Sequence, residues 1–92
     1  MESLETSNPL QTQVGGNHYK DFKIQPIEYI HANGFDFISS NIIKYASRHR
    51  YKNKDEDVKK VIHYALLSLT LDYGYNDEAI LKTLKSFTNG QI

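Results

Sequence analysis

The chain has 92 residues, which is enough for one domain but too short for two independent cores. Eleven basic residues balance eleven acidic ones, so no overall charge attracts the protein to nucleic acid or to a membrane. The sequence has no cysteine and no apolar run approaching the roughly 20 residues of a membrane span. It also lacks a secretory signal at its start, so we expect a cytoplasmic protein with no membrane contact.

The first part of the chain predicts a polar arm and then a loop. Residues 1–14 are rich in Ser, Thr, Gln and Asn without periodicity, which is typical of a flexible segment. We assign 15–92 to a single helical domain. The domain opens with Gly-Gly-Asn-His-Tyr at 15–19, and alternation over 21–25 predicts a short extended piece.

Two helices are predicted next. The first begins at Pro26, because proline is tolerated at the first helical position, and it ends at a C-cap glycine, Gly34. The second helix follows Asp36 as its N-cap and runs to about Lys52.

A third and a fourth helix complete an all-α fold, a small bundle of three to four helices preceded by the arm and the loop. The third helix is expected to use Asp55 as its N-cap and to end at 73–76, and the fourth spans 77–87. The third is so apolar over 65–71 that we expect burial on more than one side. A homo-oligomer formed through the last two helices would supply that burial, and the alternative is that this arc is the centre of the bundle.

Polar side chains repeat at helical spacing along the second and third helices. Residues three, four and seven apart share one helix face, and a short connection would fold the two faces together. Such a cleft, rich in Lys and Arg, suits an anion, whereas the alternative is a solvated basic face paired with the acids at 55–57. The stripes are Asn41, Lys44 and Arg48 on one helix and Asp57, Lys60 and Tyr64 on the other.

Other candidate residues also have two interpretations. Asp57 could hold Arg48, accept a sugar hydroxyl or coordinate hydrated magnesium, or it could only cap its helix. Gly16 precedes His18 and Tyr19, where backbone amides could form an anion-binding nest, or where a turn could place Tyr19 in the core.

Several other chemistries are not expected from this sequence. The chain lacks the P-loop pattern, and its four histidines lack the spacing of zinc ligands, so we expect no metal site. The basic and aromatic stretch at 48–52 is short in a neutral chain, so nucleic acid is not an expected partner.

Four strings, taken in order, carry a family resemblance. They are Gly-Gly-Asn-His-Tyr at 15–19, Ile-Gln-Pro-Ile-Glu-Tyr-Ile at 24–30 with Ala-Asn-Gly at 32–34, Asn-Ile-Ile-Lys-Tyr-Ala-Ser-Arg at 41–48, and Lys-Asn-Lys-Asp-Glu-Asp-Val-Lys-Lys-Val-Ile-His-Tyr at 52–64. Together they resemble a small phage family, labelled SaV-like or of unknown function, that includes a phage nucleotide kinase. The resemblance covers about 14–69. It departs at Lys54-Asp55, where relatives usually have glycine, and at Val58, where leucine is common.

The resemblance implies a phage protein of the host cytosol that binds a nucleotide. As in the kinase, it would transfer a phosphoryl group to a deoxynucleoside monophosphate from a nucleoside triphosphate donor, with or without magnesium. Alternatives are a non-catalytic protein that sequesters a host defence signalling nucleotide, and a host-protein-binding module. Catalysis would fall to Lys44, Arg48 and Asp57, and ligand binding to Gly16, His18, Tyr19, Asn41, Tyr45, Lys60 and Tyr64, while Gln25, Pro26 and Tyr29 also match the pattern.

Overall fold

The computed structural model describes residues 8–11, 19 and 21–89. Most of the predicted arm and of the Gly-Gly-Asn-His-Tyr loop lies outside these residues. The described part contains four helices and no strand, which confirms the all-α prediction. The helices are α1 (Pro26–Asn33), α2 (Phe37–Arg48), α3 (Asp55–Leu71) and α4 (Asp77–Phe87).

The predicted bounds of α1 are confirmed, and local hydrogen bonds explain them. Pro26 occupies the first turn, where its missing N–H costs nothing. The Gln25 N–H donates to the Glu28 carboxylate over 2.7 Å, which satisfies one amide at the helix start. Gly34 ends the helix with φ 63°, a left-handed conformation that glycine adopts without a Cβ penalty.

The segment before α1 differs from the prediction. Residues 21–24 form a turn and bends, so the predicted extended piece is wrong. The Phe22 N–H donates to the Tyr19 carbonyl over 3.2 Å, and the two rings make an edge contact at 6.1 Å. The Gln25 side-chain amide donates to the Leu10 carbonyl, which links the described segment 8–11 to α1.

Helix α2 starts as predicted but ends early. The Asp36 carboxylate accepts the Ser39 N–H over 3.1 Å, so the N-cap is confirmed. The predicted end at Lys52 is wrong, because α2 stops at Arg48. The N–H groups of Tyr51 and Lys52 both donate to the Arg48 carbonyl, at 2.9 and 3.1 Å, and close a turn. The chain needs 49–54 to reverse direction before α3.

Helix α3 does not begin from an Asp55 N-cap. Its cap residue is Lys54, and Asp55 is the first helical residue, with an exposed carboxylate 3.7 Å from Lys59 Nζ. Acids in the first turn favour this helix end through the dipole without a side-chain cap. Lys54 adopts φ 53° and ψ −128°, a conformation that non-glycine residues adopt only under strain.

A buried ion pair joins the adjacent ends of α2 and α3. Asp57 is completely buried, and Arg48 is 8% exposed. Arg48 Nε lies 2.9 Å from Asp57 Oδ2 and Nη2 lies 3.2 Å from Oδ1, which is bidentate geometry. Asn53 Nδ2 donates to Oδ1 over 3.3 Å. Further along, Tyr45 of α2 stacks on Tyr64 of α3, so the two helices run antiparallel.

The described part of the chain has no buried apolar residue of the kind that usually forms a core. Helix α2 packs on α3 and α1 packs on α2, whereas α4 makes at most marginal contact with the other helices. The burial expected over 65–71 is only partial, since Leu66, Leu67 and Leu69 are half-buried whereas Leu71 is 70% exposed. The fully buried contact between α2 and α3 is ionic, and many apolar side chains of the described residues are exposed. No described helix is long and apolar enough to cross a membrane.

Removing the buried carboxylate should destabilise the fold strongly. Asp57→Ala leaves the Arg48 guanidinium buried without its partner, which costs about 3 kcal/mol of unfolding free energy. The Arg48 hydrogen bonds hold the pKa of Asp57 below its usual range. This stabilisation is fully present above the usual pKa of an aspartate and is lost as the pH falls from there through the lowered pKa of Asp57 in the folded protein. Urea denaturation at neutral pH and below about pH 4 measures both effects.

The matched control is Asp55→Ala, which removes an exposed carboxylate from the same helical turn. It should change the urea midpoint little, because exposed ion pairs contribute little to stability. Equal midpoints for the Asp57 and Asp55 variants would contradict a supporting role for the buried pair.

Relieving the strained cap of α3 should stabilise the protein. Lys54→Gly removes the Cβ conflict at φ 53°, and the gain exceeds the extra backbone entropy of glycine by about 1 kcal/mol. Thermal unfolding should show a Tm increase of about 4–8 °C. Lys52→Gly, in the same turn but without a positive φ, should lower Tm. A Tm for Lys54→Gly at or below that of the wild type would rule out the strain.

Candidate functional site

Three cationic side chains converge on one aromatic ring between α2 and α3. Arg48 Cζ lies 4.7 Å from the centroid of the Tyr45 ring, Lys60 Nζ lies at 4.9 Å and Lys44 Nζ at 5.3 Å. Each contact is a cation–π interaction of about 0.5–1 kcal/mol at such an accessible site. We call Lys44, Tyr45, Arg48 and Lys60 the cation cluster.

An aromatic row extends from the cation cluster along the helix pair. The rings of Tyr45 and Tyr64 are stacked, with centroids 5.9 Å apart and an interplanar angle of 15°. Phe37 meets the other side of this pair edge-on, 6.3 Å from Tyr64. Phe37 is 73% exposed, so the row of Tyr45, Tyr64 and Phe37 leads from a charged end to an accessible apolar end.

Asp57 lies under the cation cluster and compensates only part of its charge. Its Oδ1 is 3.7 Å from Lys60 Nζ, in addition to the bidentate contact with Arg48. Arg48 is the main cause of the lowered pKa of Asp57, so the carboxylate stays ionised at neutral pH. Among the described residues Lys44 has no carboxylate partner. Three cations and one carboxylate therefore leave an excess of two positive charges.

The accessible charges of the cluster are those of its lysines. The Lys44 side chain is exposed and that of Lys60 is 43% exposed, whereas Arg48 is almost fully covered. Two of the five guanidinium N–H groups of Arg48 are used by Asp57. Arg48 is thus held in one position and contributes a buried positive charge to the site. The two lysines can donate hydrogen bonds to an external anion.

Tyr19 joins this site from the segment before α1. Its side chain is half-buried, and its hydroxyl interacts with the Arg48 guanidinium. Burial raises the pKa of Tyr19 above its ordinary value, and Arg48 opposes the shift, so the phenol stays neutral at pH 7. The other two loop candidates, Gly16 and His18, lie outside the described residues.

Not every position that matches the family pattern contributes to the cation cluster. The Asn41 side-chain amide donates to the Phe37 carbonyl over 2.9 Å, so it forms a hydrogen bond within α2. Gln25 and Pro26 are buried at the start of α1, and Tyr29 packs on Phe35 at 5.3 Å. Asn41 therefore lies one turn before the cluster, and the α1 positions support the fold. The structure brings together seven of the predicted positions, Tyr19, Lys44, Tyr45, Arg48, Asp57, Lys60 and Tyr64.

Sequence reasoning missed two residues of the site. Phe37 precedes Asn41, Lys44 and Arg48 by four, seven and eleven positions, so helical spacing alone places it on the same face. Asn53, which donates to Asp57, lies in an irregular turn where no periodicity could indicate it. The described residues contain no group of three or more histidine or acidic side chains that could hold a metal ion.

Comparison with known proteins gives one match. A family model described as a protein of unknown function, DUF3310, matches residues 13–66. No curated protein and no solved structure matches the chain. The matched region contains the whole of α1 and α2, most of α3, and every member of the cation cluster and the aromatic row. The chain therefore belongs to the DUF3310 family.

Proposed function

We propose that this protein binds a phosphorylated nucleotide on the α2–α3 surface. The phosphate would lie between Lys44 and Lys60, and the base would stack beside Tyr64 and Phe37. The observation that carries this proposal is the convergence of three cations on the Tyr45 ring with one buried carboxylate as counter-charge.

The charge of the site matches that of a phosphate monoester. A phosphate monoester carries about −1.5 to −2 charges at pH 7, close to the excess of two positive charges in the cluster. Binding would also relieve the repulsion between the lysines that share the Tyr45 ring. Because Asp57 already holds Arg48 by two hydrogen bonds, part of the site is ordered before a ligand arrives, which reduces the entropy cost of binding.

The aromatic row favours a nucleotide over inorganic phosphate. Base–aromatic stacking contributes about 1–3 kcal/mol per base. Phe37 exposes most of its ring. Among the described aromatic side chains, Tyr64 alone contacts it. A ligand with a phosphate at one end and a planar ring at the other would use both ends of the row.

The proposal predicts nucleotide-specific stabilisation that depends on Lys44. In a thermal-shift screen of mono-, di- and triphosphates and cyclic nucleotides, a ligand at about 100 times its Kd adds about 2.7 kcal/mol. For a domain of this size that is a Tm increase of about 11–22 °C. Lys44→Ala should weaken binding about 10- to 100-fold, because it removes a charged hydrogen-bond donor. Calorimetry on the responding nucleotide measures the change.

Two comparisons make the binding test specific. Lys85→Ala removes an exposed helical lysine from α4 and should leave Kd unchanged. Phe37→Ala should weaken nucleotide binding but not the binding of ribose 5-phosphate, which has no base to stack. If no nucleotide in the panel shifts Tm, or if the Lys44 and Lys85 variants bind alike, the proposed site is wrong.

Phosphoryl transfer is a second candidate function, favoured by the fixed position of the Arg48 guanidinium. Transfer requires cations held around the moving phosphoryl group, and the Asp57 contact holds Arg48 in this way. An oxygen of the acceptor phosphate would attack the γ-phosphorus of the donor, and the donor diphosphate would leave. Two nucleotides need more surface than this open helix pair provides, so such a site would lie between subunits of an oligomer.

A product assay separates transfer from simple binding. With a nucleoside triphosphate donor and magnesium, a kinase converts a deoxynucleoside monophosphate into its diphosphate, and Lys44→Ala abolishes the conversion. A sequestering protein returns its nucleotide unchanged after denaturation, as mass spectrometry would show. If the protein neither binds nor converts any nucleotide, the remaining interpretation is a host-protein-binding module.

A further inference from the structure

A second row of aromatic rings is linked to the cation cluster through Arg48. The Tyr19 and Phe22 rings meet edge-on with centroids 6.1 Å apart, and Phe22 meets Tyr51 in the same way at 6.1 Å. The Tyr19 hydroxyl interacts with the Arg48 guanidinium, which joins this row to the site. Phe22 is half-buried, whereas Tyr51 is 62% exposed. We call Tyr19, Phe22 and Tyr51 the second aromatic row.

The two aromatic rows end in exposed rings on either side of the cation cluster. Helix α2 begins at Phe37, which is 73% exposed, and ends at Arg48. Tyr51 follows Arg48 by three positions, about one helical turn, and its N–H donates to the Arg48 carbonyl over 2.9 Å. At about 1.5 Å per residue, Phe37 and Tyr51 are roughly 20 Å apart along α2 and the turn after it. The cation cluster lies between them.

The turn that carries Tyr51 adds positive charge at this end of the surface. Arg50 and Lys52 flank Tyr51, and both are exposed. Within the part of the chain that the structure describes, neither has a carboxylate partner. A single phosphate monoester, with about −1.5 to −2 charges, compensates the excess of the cation cluster and leaves these two cations unmatched.

We propose that the ligand of this site carries two bases joined by a chain of phosphates, as in a dinucleoside polyphosphate. One base would stack beside Tyr64 and Phe37, the second would stack on Tyr51, and the phosphates would lie between them on the cation cluster. This inference rests on the proposed nucleotide site. A mononucleotide has one base and covers only one of the two exposed rings. Directly stacked bases, about 3.4 Å apart, reach only one of them as well, so a phosphate chain must hold the bases apart.

The second base position lies outside the helix pair. It is formed by the turn after α2 and by the segment before α1, and it adds surface that α2 and α3 alone lack. Both terminal rings, Phe37 and Tyr51, are open to solvent, so the ligand is held without being enclosed. Phosphoryl transfer needs water to be excluded, and this open surface therefore suits binding of an intact two-base ligand.

Calorimetry with two matched probes tests the second base position. Diadenosine tetraphosphate and adenosine tetraphosphate have the same number of phosphates and differ by one nucleoside. The single-base probe carries the greater negative charge, so electrostatics alone would favour it. Stacking tolerates any base, and the second base should make diadenosine tetraphosphate bind about 5- to 100-fold more tightly, with one molecule per chain.

Tyr51 variants locate the second base. Tyr51→Leu keeps an apolar side chain against Phe22 but has no ring, so both probes should bind with the Kd of the single-base probe. Tyr51→Phe keeps the ring and should retain the tighter binding of the two-base probe. The matched control is Tyr73→Leu, which removes a 73% exposed ring at the end of α3 and should change neither Kd.

The outcomes separate this inference from the nucleotide site on which it rests. If adenosine tetraphosphate binds and diadenosine tetraphosphate binds no more tightly, the second base position is wrong and the nucleotide site stands. If neither probe binds, both proposals fail for adenine nucleotides. A folded Tyr51→Leu variant that retains the tighter binding would also overturn the inference. The wild-type comparison needs no variant, so it decides the question even if Tyr51→Leu does not fold.

Discussion

The contact between Arg48 and Asp57 determines how the rest of the described structure is arranged. It joins the last residue of α2 to the first turn of α3, so it fixes where one helix stops and how the next one returns. The bidentate geometry also sets the direction of the guanidinium, which lies over the Tyr45 ring. Tyr45 in turn positions Tyr64 by stacking. One ion pair therefore sets both the helix pair and the candidate site on it.

A buried charge at this position has a cost that shapes the remaining surface. Two charges removed from water need all of their hydrogen bonds satisfied, and Asp57 recruits Asn53 and Lys60 as well as Arg48. Polar groups thus supply the fully buried contact at this end of the α2–α3 pair. The large apolar side chains of α3 are only partly covered or exposed. Val61, Leu66, Leu67 and Leu69 are half-buried, whereas Val58, Ile62 and Leu71 are exposed.

Local signals in the sequence were sufficient wherever one residue type decides the geometry. Pro26 and Gly34 set the bounds of α1, and Asp36 set the start of α2. Helical spacing also indicated that Lys44 and Arg48 would meet Asp57 and Lys60, although it could not distinguish a solvated face from a cluster around Tyr45. That distinction depends on burial, which arises only when both helices are packed.

The errors occurred where a tertiary contact overrides local preference. A periodic pattern continues to Lys52, but the chain reverses at Arg48 so that this side chain can reach Asp57. The same reversal requires a strained residue at Lys54, where sequence alone indicated a cap at Asp55. The apolar arc over 65–71 left two alternatives open, a homo-oligomer and the centre of the bundle. Propensity cannot decide between them, because burial depends on which elements pack against α3.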